Sequence, residues 1–210
     1  MAFLLFKEKA FLTIAIPTLL LNGMEKSIEL QYNKNISRNL LYSFWNPQKD
    51  LEFALNTLNE LKKEGYNFNL VISGGINKHF KDYQKKFNEI IERYKGIINE
   101  LKGYVEEKDI VDMFKTADLL LLPYSASGGL SGVLSQAIFF EILVIGIEFP
   151  EYIEEAKGHE NVILVKRDDF KNAIRDFLDN FKPGKSKTIN VKEKIEKNVK
   201  YLNDLIKSRV

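Results

Sequence analysis

The amino-acid sequence predicts a doubly wound α/β fold, a mostly parallel sheet with helices on both faces. From Arg38 onward, short apolar runs alternate with amphipathic stretches, which is the pattern of parallel strands joined by crossover helices. The chain has 210 residues, enough for one full core but not for two large domains. We therefore expect a single α/β domain.

Six apolar runs are predicted as strands, because each has the length of a buried strand and lies between amphipathic stretches. They cover residues 39–44, 67–73, part of 96–105, 118–123, 143–148 and 162–166. Since almost all are joined by helical patterns and not by tight turns, the strands are expected to run parallel.

Between the strands, apolar residues recur every three or four positions, as on the buried face of a helix. Short helices are predicted at residues 108–116 and 131–140. The pair at 168–169 is expected to cap the start of one helix. The pair at 150–151, which follows a strand, is expected to have no role beyond capping a helix. The other apolar positions at helical spacing are Leu51, Ala54, Leu55, Leu58 and Leu61, then Phe87, Ile90 and Ile91, and finally Phe170, Ala173, Ile174 and Phe177.

Three segments are expected along the chain. Residues 1–37 are an apolar N-terminal segment, either a strand with its connection or a docking surface, and residues 38–182 are the α/β domain. Residues 183–210 are expected to be a linker and an amphipathic helix that packs on the domain. The uncharged run 10–24 is shorter than the roughly 20 residues of a bilayer-spanning helix, and it contains Pro17.

Composition excludes several classes of function. The formal net charge is only +2, with 31 Lys and Arg against 29 Asp and Glu, so we expect no nucleic-acid partner. The chain has no cysteine, which excludes disulfides, thiolate zinc sites and cysteine nucleophiles. Its two histidines, His79 and His159, lie far apart and no Asp-x-Asp occurs, so we expect no metal site. We expect a cytoplasmic chain that is at most peripheral to a membrane.

Two glycine-containing loops are candidate binding sites, because doubly wound sheets bind ligands beyond the carboxyl ends of their strands. Gly74 and Gly75 follow the second strand, where they permit close backbone approach to a ligand or form an ordinary strand-to-helix turn. Residues 123–133 follow the fourth strand and open a helix. Their small side chains leave amide N–H groups uncovered at a helix N-terminus, which favours a phosphate or diphosphate. The alternative is a flexible Gly/Ser connection.

These segments carry a family resemblance. In order, residues 71–75, 103–105, 113–123 and 128–137 resemble the C-terminal, donor-binding domain of retaining GT-B glycosyltransferases, in particular the glycogen-synthase-like and mannosyltransferase-like group. The most specific element is the Ala-Asp-apolar-Pro strand followed by a Gly-rich turn and a helix. The resemblance covers residues 38–166 and implies a Rossmann-like domain that is one half of a GT-B fold.

The resemblance implies how this domain would hold a nucleotide diphosphate sugar. It places Gly74 and Gly75 at the border of the donor, and the main chain of Tyr104 and Val105 facing the nucleotide base. It assigns the diphosphate to amides of the turn, which are those of Gly129, Leu130, Ser131, Gly132 and Val133.

Lys49 lies where the family places a lysine that neutralises phosphate charge as the leaving group departs, so it is the candidate catalytic residue. Four positions depart from the family pattern. Ser43 replaces an arginine, Asp50 replaces the glycine that follows the lysine, and Gly128 and Gln136 replace two glutamates that are eight positions apart. The Gln136 amide still has the capacity to hydrogen-bond sugar hydroxyls.

The resemblance implies a hexosyltransferase that transfers sugar from a UDP- or GDP-linked donor to an acceptor sugar or lipid-linked glycan, without a metal or cofactor. GT-B enzymes hold the acceptor on an N-terminal domain of comparable size, and residues 1–37 are too few for one, so a further domain or partner subunit is expected. The alternative is a binding or assembly module that has lost turnover. A weaker alternative is an unrelated flavodoxin-like domain that binds FMN.

Overall fold

Six parallel strands form one sheet in the computed structural model, which describes residues 36–182 apart from the side chains of residues 107 and 108. The spatial order is β3-β2-β1-β4-β5-β6. Each strand lies within two residues of its predicted position, except that the third keeps only three residues of a longer predicted run. The strands are β1 Ser37–Tyr42, β2 Phe68–Ser73, β3 Glu100–Lys102, β4 Leu119–Leu122, β5 Leu143–Ile147 and β6 Val162–Val165.

Helices connect successive strands and cover both faces of the sheet, as predicted. Short 3₁₀ helices lie at Pro47–Lys49, Lys95–Ile97 and Arg167–Asp169. The α-helices are α1 Leu51–Lys63, α2 Tyr83–Tyr94, α3 Glu107–Thr116, α4 Gly132–Phe139, α5 Pro150–Glu155 and α6 Phe170–Asn180.

The core has two layers, one on each face of the sheet. Because successive side chains of a strand point to opposite faces, the neighbours Leu40 and Leu41 belong to different layers. The layer around Leu41 is covered by α1, α2 and α6, and the layer around Leu40 by α3, α4 and α5. This arrangement confirms the doubly wound α/β fold.

The two predicted capping pairs have different outcomes. The pair at 150–151 lies at a helix start, as predicted, because α5 begins at Pro150 and has Glu151 in its first turn. Proline suits the first helical position, where its missing N–H would have no intrahelical partner. At 168–169, the chain forms a 3₁₀ turn, and Asp169 makes no side-chain capping hydrogen bond to α6.

The strand order creates a crevice beside β1. The chain moves outward from β1 to β2 and β3, and then returns to place β4 on the other side of β1. Adjacent strands whose connections leave in opposite directions open a crevice at their carboxyl ends, where ligands of such folds bind. Flavodoxin-like folds have the order 2-1-3-4-5, which differs from the order found here.

Some expectations lie outside the described residues. These are the N-terminal segment up to residue 35 and the linker and amphipathic helix of residues 183–210. Among residues 36–182, no helix combines the length and apolarity that a membrane span needs.

Candidate functional site

A cleft of about 360 Å³ opens at the carboxyl ends of β1 and β4, at the crevice that the strand order creates. The loop after β1 forms one wall and the Gly-rich turn before α4 forms the other. Nine residues predicted for the site line it, namely Ser43, Lys49, Gly128, Gly129, Leu130, Ser131, Gly132, Val133 and Gln136. The fold thus brings together two predicted groups that lie about 80 residues apart in sequence.

Lys49 ends the 3₁₀ helix Pro47–Lys49 on the first wall. The Asn46 side chain starts this helix by accepting a hydrogen bond from the Gln48 amide at 2.9 Å. The Lys49 ammonium then lies 3.6 Å from the centroid of the Tyr124 ring. Burial lowers the pKa of Lys49 to about 8, because a desolvated ammonium is disfavoured relative to the neutral amine.

The carboxylate of Asp50, which follows Lys49 in the chain, interacts with other residues. Asp50 has a left-handed backbone with φ of 44°, and its side chain accepts a hydrogen bond from the Phe53 amide at the start of α1. Its other oxygen pairs with Arg167 at 2.6 Å. Lys49 forms no salt bridge with any side chain that the structure describes, so its positive charge is available to an anion in the cleft.

The Gly-rich turn on the second wall presents backbone donors. Ser131 caps α4, since its hydroxyl accepts a hydrogen bond from the Leu134 amide at 3.2 Å. The amides of Leu130, Gly132 and Val133 have no hydrogen-bond acceptor in the part of the chain that the structure describes. They lie at the positive end of the α4 dipole, which favours negative charge.

One amide of the turn is already engaged by a carboxylate. Glu155, at the end of α5, accepts a hydrogen bond from the Ser131 amide at 3.0 Å and another from the Ser135 hydroxyl. A carboxylate at a helix N-terminus stabilises that terminus. Sequence reasoning missed Glu155, because it lies 24 residues from Ser131 and at the end of a helix whose extent was not predicted.

Gln136 lies one turn into α4 and also lines the cleft. Its side-chain oxygen is buried and has no hydrogen-bond partner among the described residues. A buried acceptor without a donor lowers the stability of the fold, and a ligand hydroxyl in the cleft would supply the missing donor.

Gly74 and Gly75 lie outside the lining of the cleft. The Gly74 amide donates to the Gly103 carbonyl at 2.9 Å, and its φ of 108° requires glycine. A Cβ on Gly74 would lie only 1.8 Å from the carbonyl oxygen of Ser43. The Gly75 carbonyl accepts from the Trp45 amide at 2.8 Å. This loop is packed by the protein's own backbone.

Tyr104 and Val105 also lie outside the lining. Val105 is buried in the core, whereas the Tyr104 side chain is 69% exposed. Its ring lies 6.4 Å, centroid to centroid, from that of Phe44, which does line the cleft. The two exposed rings therefore extend the first wall beyond the cleft.

The side chains that the structure describes include no group of three or more His, Cys, Asp or Glu residues that is arranged to hold a metal ion.

Comparison with protein families gives one match that covers most of the chain. The family is described as glycosyl transferases group 1, and its sequence model matches residues 38–206. Comparison with curated proteins gives no match.

Solved structures share the fold. The Anabaena protein HepE, solved in complex with UDP, has a TM-score of 0.61 and 15% identity, over 83% of this chain and 49% of that one. Sucrose-phosphate synthase from Thermosynechococcus elongatus has a TM-score of 0.62 and 15% identity, over 84% and 46%. The E. coli trehalose-6-phosphate structure bound with UDP-2-fluoro glucose has a TM-score of 0.57 and 13% identity, over 83% and 41%. The chain spans about half the length of these structures.

Proposed function

Because the chain belongs to the group 1 glycosyl transferases, we propose that it is the donor-binding half of a glycosyltransferase and binds a nucleotide diphosphate sugar. The observation that carries this proposal joins two groups across one cleft, an ammonium that has no carboxylate partner among the described residues and a helix N-terminus whose amides lack an acceptor there. Structures of the same fold that hold UDP or UDP-2-fluoro glucose support it.

The diphosphate would lie between the two walls. Lys49, which lines the first wall, would contact it from one side, and the amides of Leu130, Gly132 and Val133 in the second wall would contact it from the other. Charge-assisted hydrogen bonds of this kind are shorter and stronger than neutral ones. The turn has room for an anion, since a Cβ added at Gly128 or Gly129 would meet no atom within 4 Å.

The same groups would promote sugar transfer. As the bond between the sugar and the diphosphate breaks, negative charge grows on the departing phosphate oxygen, and Lys49 with the turn amides would stabilise it. Among the described residues that line the cleft there is no aspartate or glutamate, so rate enhancement would come from positioning and electrostatics. We propose a reaction that needs no metal ion.

The rest of the donor would occupy the two ends of the cleft. Sugar or ribose hydroxyls would donate to the buried Gln136 oxygen, and the Ser43 hydroxyl is a second polar group in the lining. The nucleoside would extend past Phe44 toward the exposed ring of Tyr104. Both UDP- and GDP-linked sugars are candidate donors.

The acceptor would bind outside the described residues. Since the chain spans about half the length of the structures it matches, we propose that a second domain or a partner subunit holds an acceptor sugar or lipid-linked glycan. It would cover the open side of the cleft and exclude water from the transferred sugar.

Calorimetry on the purified chain tests donor binding. UDP-glucose and GDP-glucose are titrated into the wild type, into Lys49→Ala, and into Lys63→Ala, which removes an exposed lysine at the end of α1. We expect Lys49→Ala to weaken nucleotide-sugar binding about tenfold or more, the size of one charge-assisted hydrogen bond. Binding of uridine, which lacks phosphate, and the affinities of Lys63→Ala should not change. Equal nucleotide-sugar affinity in wild type and Lys49→Ala would remove Lys49 from the site.

A second candidate function is a binding module without turnover. It is favoured by the absence of a carboxylate from the described lining, where Gly128 and Gln136 replace the family's two glutamates. Incubating the chain with UDP-glucose or GDP-glucose, alone and with a candidate acceptor domain, separates the two functions. Binding without release of UDP or GDP in either mixture would favour the module.

A further inference from the structure

Tyr124 fills the space directly beneath the Lys49 ammonium. It follows Pro123 at the end of β4, and its side chain is buried, with 1% exposed. Its hydroxyl lies 3.5 Å from the Ser43 hydroxyl. On another side, its ring meets that of Tyr152 at 71° with centroids 6.2 Å apart. Because the ring is held at its hydroxyl and against Tyr152, it has a fixed orientation toward the cleft.

The face of this ring meets the ammonium at 3.6 Å from the centroid, well within the range of a cation–π contact. The aromatic face attracts a cation but carries no net charge. A carboxylate in its place would neutralise Lys49 and would have to be displaced before a phosphate could bind. The ring instead holds the ammonium at the cleft and leaves its charge uncompensated.

We infer that Tyr124 is a positioning residue of the donor site, whose ring face holds the Lys49 ammonium ready to receive the diphosphate of the sugar donor. The inference rests on the proposed function. It also accounts for Ser43, because the hydroxyl at this position lies beside the Tyr124 hydroxyl and helps to fix the ring, where the family pattern has an arginine.

Two variants distinguish the contribution of the Tyr124 ring from that of its hydroxyl. Tyr124→Leu removes the aromatic face and keeps an apolar side chain, whereas Tyr124→Phe keeps the face and removes the hydroxyl. We expect Tyr124→Leu to weaken UDP-glucose binding about fivefold, the size of one cation–π contact, and to leave uridine binding unchanged. Tyr124→Phe should recover most of this loss. An equal loss for uridine and UDP-glucose, or no recovery in Tyr124→Phe, would overturn the inference.

A matched control is the buried ring of Phe68, which lies at the start of β2 and beneath Lys62 at 5.4 Å. Phe68→Leu removes a buried aromatic ring under a lysine far from the cleft, so we expect it to leave UDP-glucose affinity unchanged. A double-mutant cycle adds a second check. In the Lys49→Ala background, Tyr124→Leu should cause no further loss, and a full fivefold loss there would contradict the inference.

A proton NMR measurement on the free wild-type chain tests the contact even where Tyr124→Leu fails to fold. The Lys49 ε-methylene protons, identified by their loss in Lys49→Ala, should be shifted upfield by the ring current of Tyr124. A position typical of a solvated lysine would refute the contact.

Failure of the proposed function gives a different result. A wild type that binds neither UDP-glucose nor GDP-glucose would refute donor binding. In that case inorganic pyrophosphate, titrated into the wild type and the two Tyr124 variants, still tests whether the ring prepares Lys49 for an anion. The same order of affinities supports the positioning role, and equal affinities refute it.

Discussion

The two glycine-containing loops at the carboxyl edge of the sheet look alike in sequence but differ in structure. After β2, Gly74 is packed so tightly that an added Cβ would lie 1.8 Å from the Ser43 carbonyl oxygen. After β4, a Cβ on Gly128 or Gly129 would meet nothing within 4 Å, and the amides of Leu130, Gly132 and Val133 have no acceptor among the described residues. The first loop is closed by the protein itself and the second is open to a ligand.

This difference shows what a glycine in such a loop can reveal. Glycine indicates that another group approaches the backbone or that φ is positive, but it does not say whether that group is the protein or a ligand. Here the partner of Gly74 is the chain at Ser43, brought close by the pairing of β1 with β2.

Substitutions in the closed loop after β2 should lower the stability of the fold more than substitutions in the open turn after β4. Gly74→Ala forces an L-residue to a φ of 108° and against a carbonyl oxygen, so we expect a loss of about 3 kcal/mol or more in the free energy of unfolding. Gly75→Ala is the control, because its Cβ would approach only the Tyr104 Cβ at 3.9 Å. Urea denaturation measures both. A Gly74→Ala variant as stable as Gly75→Ala would show that this loop is not closed as described.

Substitutions in the open turn should change the affinity for a ligand and not the stability of the fold. Gly132 is the first residue of α4, and the extended Ser131 before it, with φ −100° and ψ 110°, is compatible with a following proline. Gly132→Pro therefore removes one amide donor without breaking the helix. We expect about tenfold weaker UDP-glucose binding, measured by calorimetry. Gly132→Ala keeps the donor and is the control, and equal affinity in the two variants would contradict the role of this amide.

Gly129 in the open turn differs from Gly74 in one respect, because both have a positive φ but only Gly129 has free space around it. Gly129→Ala carries the strain of a φ of 101° without a clash, so we expect a loss of about 1 kcal/mol in the free energy of unfolding, clearly less than for Gly74→Ala. The same urea denaturation measures it. A loss as large as that of Gly74→Ala would mean that the turn is packed after all.

The smallest expected effect is a change of UDP-glucose affinity with pH. Burial lowers the pKa of Lys49 to about 8 in the free chain, and a bound diphosphate raises it by favouring the ammonium, so binding takes up a proton as the pH approaches 8. UDP-glucose affinity should fall about twofold between pH 7 and pH 8. Lys49→Arg, which stays charged, should show a flat profile over this range. A flat wild-type profile would place the Lys49 pKa well above 8.

Much of the fold was predictable because its signals are local. The all-leucine strand β4 and the apolar spacing along α1 need no knowledge of the rest of the chain. The prediction placed a capping pair at the start of α5 but gave no extent for this helix, since its six residues are too few to show a helical period.

The site was only partly predictable, because its decisive contacts join residues that are distant in sequence. The Gly-rich turn and Lys49 were found through local pattern and family resemblance. The Glu155 contact to Ser131 and the Tyr124 ring beneath Lys49 depend on how β1, β4 and α5 are arranged in space. No spacing rule in the sequence encodes either contact.

Amide NMR during a titration with UDP-glucose tests the central claim most directly, because it observes the backbone donors of both loops at once. We predict saturable downfield shifts of the Gly132 and Val133 amide protons as they bind the diphosphate, and little change at the Gly74 amide, which already donates to Gly103. Saturable binding that leaves Gly132 and Val133 unshifted, or that moves Gly74 most, would contradict the account.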